Sequence, residues 1–293
     1  MCQFFIFGSD PRQLYLAEIL AEKRLPFASS YETNPRWTYL SFEKAMETCP
    51  VILAPLPFTR NQKTIFKTPG DGLSILDFCS MLRPGQTLFG GSLPPVVTSF
   101  CRENQITFFD YMELEEVCIE NAVATAEGAV CEAIRISPGT LQGSAGLLAG
   151  YGRCGRVLAR KLKALDMKLT VMEKNPEKLA LAKADGFSVI RPEALDALSS
   201  LHWQYLFNTV PAPLFGKEQL SRMPKSVTIL DIASAPGGVD FDFCRSTGRC
   251  ALLCPGLPGR FAPKAAAQVL ADAVFRRVPI SPSPKETTSA QTI

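Results

Sequence analysis

The run Leu147-Leu-Ala-Gly-Tyr-Gly-Arg-Cys-Gly155 carries three glycines, Gly150, Gly152 and Gly155, at a spacing that can hold a pyrophosphate. Gly150 makes a tight turn, Gly152 admits the phosphates, and Gly155 lets the following helix pack closely on the strand. Backbone N–H groups at the start of that helix then face the anion. Tyr151, Arg153 and Cys154 complete the turn and count with it as cofactor-binding positions. The same residues also fit an ordinary strand–turn–helix corner, so the flanking pattern has to decide. Glu173 closes the next apolar run, Lys168-Leu-Thr-Val-Met-Glu173, and lies 23 positions after Gly150. A ribose-binding carboxylate is expected about 20 residues on. That points to NAD, while Lys174 beside it could meet a 2′-phosphate and keeps NADP open.

The elements needed to position these residues are legible. Residues 144–149 form a short apolar strand entering Gly150. Val157, Leu158, Leu162 and Leu165 recur as one face of a helix after Gly155. The pattern then continues with strands near 168–173, 187–190 and 203–210, and helices near 176–184 and 192–199. Strands at 227–232 and 251–254 bring the total to six, and a glycine turn after the first suggests the order 3-2-1-4-5-6. Pro263 opens a last helix with Ala266, Val269, Leu270, Ala273 and Val274 inward.

The first part of the chain is a second α/β unit. Strands are expected at 3–7, 26–29, 51–54, 87–90 and 106–110, with helices at 72–82 and 94–102. Asp10 stands as an N-cap and Pro11 at the first helical position, ahead of a face of Leu14, Ala17, Leu20 and Ala21. Strands alternating with helices imply a parallel sheet covered on both sides. The polar stretch 59–70 reads as a mobile loop. From 112 to 135 one long connecting helix is expected, with Asn121 and Thr125 on a shared face. Those two side chains could equally bond to neighbouring backbone.

The fold class is therefore α/β in two domains: an N-terminal flavodoxin-like parallel sheet and a C-terminal Rossmann dinucleotide-binding domain, with a cleft between them. Residues 1–135 form the first domain, 136–278 the second, and 279–293 a Ser/Pro/Thr-rich disordered tail. Composition permits this, since 46% of the 293 residues are hydrophobic and 20% charged. A net charge of +3 gives no case for nucleic acid or a membrane surface. No apolar run reaches the ~20 residues of a membrane span. The start runs straight into a strand, without a basic region and cleavage site, which places the chain in the cytoplasm. The ten cysteines form no Cys-x-x-Cys and read as reduced thiols, so no metal site is expected.

Several separate motifs, in order, resemble the A subunit of dipicolinate synthase from spore-forming bacteria. They are Gly8-Ser-Asp-Pro-Arg-Gln13, Asn121-x-x-x-Thr125-x-Glu127-Gly128, Asn208-Thr-Val-Pro211, Leu230-Asp-Ile-Ala-Ser-Ala-Pro-Gly-Gly-Val-Asp240, Cys254-Pro-Gly-Leu-Pro-Gly259 and Ala262-Pro-Lys264. The similarity covers roughly residues 3 to 276. It implies a sporulation enzyme that oxidises dihydrodipicolinate, drawn from the lysine pathway, to dipicolinate in the mother cell. It implies a nicotinamide dinucleotide as acceptor and a separate, flavoprotein-like B subunit, and leaves a homo-oligomer open. It also implies an architecture like that of alanine and D-2-hydroxyacid dehydrogenases, with substrate in the cleft. Met172-Glu173-Lys174 departs from a small residue followed by Arg in other members, which leaves NAD against NADP undecided. Arg260 stands where an apolar residue can occur, as a solvated side chain or a carboxylate partner.

Under that resemblance Asn208, Thr209, Val210, Pro211, Asp231, Ala233 and Ser234 border the nicotinamide ribose and ring. Lys264 and Arg12, each in the first turn of a helix, are expected to hold the two substrate carboxylates from opposite domains. Glu127 is the expected proton acceptor, and Asn121 and Thr125 join it as catalytic positions. His202, the lone histidine, lies before a strand and is expected to be exposed. The alternatives are a non-catalytic dinucleotide-binding subunit with a regulatory role, and a 2-hydroxyacid or alanine-dehydrogenase-like enzyme. The latter ordinarily needs a histidine relay in its cleft, which a single histidine does not favour.

Overall fold

The computed structural model describes residues 2–8, 10–30, 34–66, 68, 72–195 and 203–280. The chain divides into two compact units, one of Met1–Cys118 with Pro263–Ile293, the other of Ile119–Ala262.

The first unit begins with β1 (Phe4–Ile6), α1 (Pro11–Glu22), β2 (Phe27–Ser29), β3 (Thr38–Tyr39) and α2 (Phe42–Thr48). It continues with β4 (Val51–Leu53), α3 (Ile75–Met81), β5 (Thr87–Gly90), α4 (Pro95–Glu103) and β6 (Thr107–Asp110). All pairings are parallel, in the order β3-β2-β1-β4-β5-β6. Without the two-residue β3 this is the 2-1-3-4-5 order of flavodoxin-like sheets. Residues Phe4 to Ile6 are wholly buried because helices cover both faces, and a sheet buried on both sides reads as unbroken apolar runs. Asp10 caps α1 by accepting the Arg12 backbone N–H, and Pro11 pre-sets the first turn. β3 and α2 were not expected from the sequence. β3 is too short to show alternation, and α2 is a seven-residue helix started by a Ser41 cap.

The helix α5 (Glu115–Ile136) runs from the first unit into the second. The second unit then follows as β7 (Ala145–Ala149), α6 (Arg153–Ala164), β8 (Lys168–Met172), α7 (Pro176–Ala184) and β9 (Ser188–Ile190). Next come β10 (Tyr205–Asn208), α8 (Lys217–Ser221), β11 (Thr228–Asp231), α9 (Phe241–Ser246), β12 (Ala251–Leu253) and α10 (Leu257–Phe261). Its parallel order, β9-β8-β7-β10-β11-β12, is the expected 3-2-1-4-5-6. Leu148, Val171, Phe207 and Leu158 meet on one face of the sheet, Leu147, Leu206 and Ile229 on the other. Each such buried side chain contributes about 1.5–3 kcal/mol relative to exposure. The helix expected at 192–199 is a single 3₁₀ turn at Pro192–Ala194 in its described part. Residues 196–199, like His202 and 281–293 of the expected tail, lie outside the described residues.

The last helix, α11 (Pro263–Phe275), differs from expectation. The sequence reading puts it with the glycine turn, but it packs in the first unit. Its inward residues Ala267, Leu270, Ala271 and Val274 join Leu16, Ala17 and Leu20 of α1 in one core. Apolar periodicity shows that a helix buries a face, and does not show against what.

Candidate functional site

In a sheet of this order ligands bind beyond the carboxyl ends of the strands, where the order reverses. In the second unit that point lies between β7 and β10. Gly150 leaves β7 with φ +92° and donates its N–H to Met172 O at 2.8 Å. A side chain there would run into Thr209 Oγ1. Gly155 sits so close to the turn that an added Cβ would strike the Gly150 carbonyl oxygen. Gly152 is the opposite case, since a Cβ at that position meets nothing within 4 Å. It occupies the N-cap position of α6 and offers no side-chain cap. The N-cap of this twelve-residue helix thus supplies no side-chain acceptor, and there is open space at Gly152. This is a cradle that an anion fits.

Glu173 follows β8 and is nine-tenths buried. Its Oε2 accepts the Tyr151 N–H at 2.8 Å and its Oε1 accepts the Asn175 N–H at 2.9 Å. The carboxylate is therefore fixed beside the glycine turn, with lone pairs left for further donors. Arg153, Lys174, Pro211 and Ser234 are exposed, Cys154, Thr209 and Val210 half-buried, and Ala233 buried.

Asn208 and Asp231, at the ends of β10 and β11, are fully buried and bond each other at 2.9 Å. Asn208 also donates to Val210 O at 3.0 Å and accepts the Val210 N–H at 3.1 Å. Asp231 accepts the Ala233 N–H at 3.0 Å and the Gly238 N–H at 2.7 Å. These two side chains hold the turns in shape, while of the expected positions Thr209, Val210, Pro211 and Ser234 present surface.

The residues expected to touch substrate are not drawn together in this way. Arg12 is buried, with its Nε 2.7 Å from Asp10 Oδ1, and it also donates to the Leu56 carbonyl oxygen. Its charge is neutralised by its own helix cap, so it is not a free carboxylate clamp. Lys264 is exposed at the start of α11 and belongs to the first unit, as Arg12 does, so the two do not come from opposite units. Glu127 is exposed and pairs with Lys161 at 2.9 Å, without the burial that tunes a general base. Thr125 donates to Asn121 O at 2.9 Å within the helix, while Asn121 Oδ1 is buried and without a partner. Arg260 is exposed, and its guanidinium is already engaged by Glu132.

Glu132 is the acid that its position on a helix face did not reveal. It is 1% exposed and lies 2.6 Å from both Arg135 and Arg260. Burial pushes its carboxyl up, but the hydrogen bonds and charges of the two arginines outweigh this and hold it below the usual range. The pair ties α10 to α5, where Gly128 leaves room for Phe261 and Leu257.

All ten cysteines are free thiols. Burial pushes Cys49 and Cys254 up to about 11 and Cys101 to about 12, which makes them poor nucleophiles. Among the described residues no group of three or more His, Cys, Asp or Glu could hold a metal ion. Nor is any described helix long and apolar enough to cross a membrane.

Two parallel α/β units, the second with an uncapped glycine turn at its switch point, define a two-unit protein with a Rossmann-type domain. Comparison with known proteins narrows this. Residues 3–112 match the family model for the N-terminal domain of the dipicolinate synthase A subunit, and residues 147–200 match the TrkA-N domain. The dipicolinate synthase A subunit of Bacillus subtilis (strain 168) is 34% identical over 165 residues, which span 56% of this chain and 55% of that protein. Among solved structures, the dipicolinate synthase A subunit from Bacillus halodurans is 26% identical with a TM-score of 0.85, covering 95% of this chain and 98% of that one. The crystal structure of the same subunit from Bacillus subtilis is 25% identical with a TM-score of 0.82, covering 93% and 94%. The likeness to the dipicolinate synthase A subunit carried by the motifs is thus found in sequence, in a family model and in fold.

Proposed function

We propose that this chain is the dinucleotide-binding subunit of a dipicolinate-forming oxidoreductase. The observation that carries the reading is the uncapped start of α6 with open space at Gly152. Backbone N–H groups there hold the pyrophosphate, and the helix dipole favours its charge. Glu173, fixed by Tyr151 and Asn175, accepts from the ribose hydroxyls and disfavours a 2′-phosphate, so NAD is the preferred partner over NADP. The turns after β10 and β11 border the nicotinamide end, held in shape by Asn208 and Asp231.

Held by the α6 start and Glu173, a nicotinamide dinucleotide would supply the hydride acceptor for oxidation of dihydrodipicolinate to dipicolinate, with one ring proton released. The protein supplies orientation, charge and exclusion of water. Lys264 is the candidate partner for one substrate carboxylate. Asn121, with an amide oxygen that has no partner, is the candidate acceptor for a substrate donor. Arg12 is not part of this assignment. The likeness to the A subunit supports a separate B subunit in the role of partner, and a place in sporulation, inside the mother cell.

The test is to mix the full chain with dihydrodipicolinate and either NAD⁺ or NADP⁺, with and without a dipicolinate synthase B subunit. Reduced nicotinamide and dipicolinate should accumulate together, faster with NAD⁺. Binding of NAD⁺ without turnover in either mixture would favour a non-catalytic dinucleotide-binding subunit. The exposed, paired state of Glu127 already favours that second reading. Failure to bind either dinucleotide would overturn both.

A further inference from the structure

The middle residue of the glycine turn is a tyrosine, and its side chain does more than fill space. Tyr151 is fully buried, with its ring edge-on to Phe187 at 5.9 Å between centroids. Its backbone N–H donates to Glu173, and its hydroxyl donates to Asp185 Oδ2 at 2.7 Å. Asp185 is the C-cap residue of α7, with its own N–H on Leu181 O. The Asp185 carboxylate also faces α6, with Arg160 at 3.5 Å and Arg156 at 4.0 Å. Lys163, on the same helix, donates to the Asp185 carbonyl oxygen at 3.1 Å and lies over the Phe187 ring. One residue therefore links the end of β7, the carboxylate after β8 through its backbone N–H, and the end of α7 through its hydroxyl.

Packing alone does not ask for the hydroxyl. Tyr151 belongs to an apolar cluster with Leu158, Leu162, Val171 and Phe187, in which phenylalanine would bury the same ring. A buried hydroxyl without a partner costs free energy, and here the partner is a carboxylate at the rim of the unit. Burial, then Asp185, pushes the phenol up to about 12, so it stays a donor. The hydroxyl in turn holds the Asp185 carboxyl below its usual range, helped by Arg160 and Arg156. A neutral donor on an ionised acceptor is a strong form of the bond.

We infer that Tyr151 and Asp185 are positioning residues of the glycine turn, an inference that rests on the dinucleotide reading above. With its ring tied at the far end, Tyr151 keeps its peptide N–H aimed at Glu173. Glu173 is then held in one orientation toward the ribose, beside the open space at Gly152. Cutting the far tie lets the turn and the carboxylate drift together.

The experiment is calorimetric titration of the full chain with NAD⁺ and with NADP⁺. Tyr151→Phe should weaken NAD⁺ about three- to tenfold and NADP⁺ less, narrowing the preference between them. Asp185→Ala should do the same, and the double variant should be no worse than either single one. Asp185→Asn keeps a neutral acceptor for the hydroxyl and should restore most of the affinity. If Tyr151→Phe, Asp185→Ala and the double variant lower only the melting temperature and leave both dissociation constants unchanged, the role is structural and the inference fails. If Asp185→Asn is as weak as Asp185→Ala, the arginines and not the hydroxyl carry the effect, and the inference about Tyr151 also fails. A wild-type chain that binds neither dinucleotide fails the underlying reading itself, and this inference with it.

Discussion

The two units share a strand order and differ at the turn after their first strand. In the first unit, Gly8 leaves β1 with φ +94°, and a Cβ there would lie 2.9 Å from Pro55 Cβ. Asp10 then caps α1, and the Arg12 guanidinium folds back onto the same carboxylate. In the second unit the corresponding turn ends on Gly152, which caps nothing and leaves open space. One helix start is filled by its own side chains, and the other has no side-chain cap and open space at its N-cap. Topology supplies the crevice, and the occupant of the helix start decides what the crevice can accept. The units do share a second device. Asp110 in the first accepts the N–H groups of Ser92, Leu93 and Met112, and Asp231 in the second accepts those of Ala233 and Gly238.

The largest expected effect tests the filled turn. Arg12→Met strips the buried pair and leaves Asp10 uncompensated, at a cost of about 3–5 kcal/mol. Hydrogen exchange should show the loss in the α1 and α11 amides, while NAD⁺ affinity stays unchanged. A loss of NAD⁺ affinity with unchanged exchange would mean that the first unit's turn is a ligand site after all. The open turn is tested next. Gly152→Val puts a side chain where the phosphates approach and should weaken NAD⁺ by at least about 100-fold (roughly 2.7 kcal/mol). Gly8→Ala should lower the melting temperature and leave NAD⁺ binding intact. Normal binding by Gly152→Val, measured by calorimetry, would end the assignment of that turn.

The shared device should separate the units more gently. Asp110→Asn and Asp231→Asn each turn an amide N–H₂ toward backbone donors, and each should cost about 1–3 kcal/mol. Only Asp231→Asn should also weaken NAD⁺, because only its turn borders the proposed site. Equal losses of NAD⁺ affinity in both would dissolve the comparison. The smallest effect concerns Glu132. Its folded carboxyl titrates below the usual value of 4.5, so its contribution is present above that value and disappears as pH falls through the folded one. With both arginines half-exposed or more, Glu132→Gln should cost about 1 kcal/mol near pH 7. The gap from wild type should close in acid. A gap that is the same at pH 3 and pH 7 would assign the cost to packing instead.

The second unit was largely legible in the sequence because its signals are local. Strand, glycines, helix and acid follow one another within Ala145–Glu173, and each constrains the next. The same holds for the Asp10–Pro11 start of α1, which appears as expected. What could not be read were partners far apart in the chain. Arg12 showed as a cation in a first helical turn, and nothing nearby disclosed that Leu56 and its own cap would absorb it. Glu132 showed as one acid on a helix, though Arg260 lies 128 positions away. Asn208 and Asp231 stand in turns after strands, as expected, but their burial turns them inward, which spacing does not report. Asp185 gave no signal beyond ending a helix, since its role depends on a tyrosine 34 positions earlier.

The return of α11 to α1 has a consequence for how the chain is made. The first unit's core needs Ala267, Leu270 and Val274 against Leu16 and Leu20, yet the whole of Ile119–Ala262 is translated between them. At about 5–20 residues per second that interval is roughly 7–29 s. During it the nascent α1 carries an uncovered apolar face, while the second unit can already close on the ribosome. The segment Ile119–Ala262 is thus complete in the chain before the first unit receives its final helix. Gln3 donates to the Pro279 carbonyl oxygen, so the early and late segments of that waiting unit finish side by side. Joining them and opening the chain elsewhere would let the first unit be synthesised in one piece.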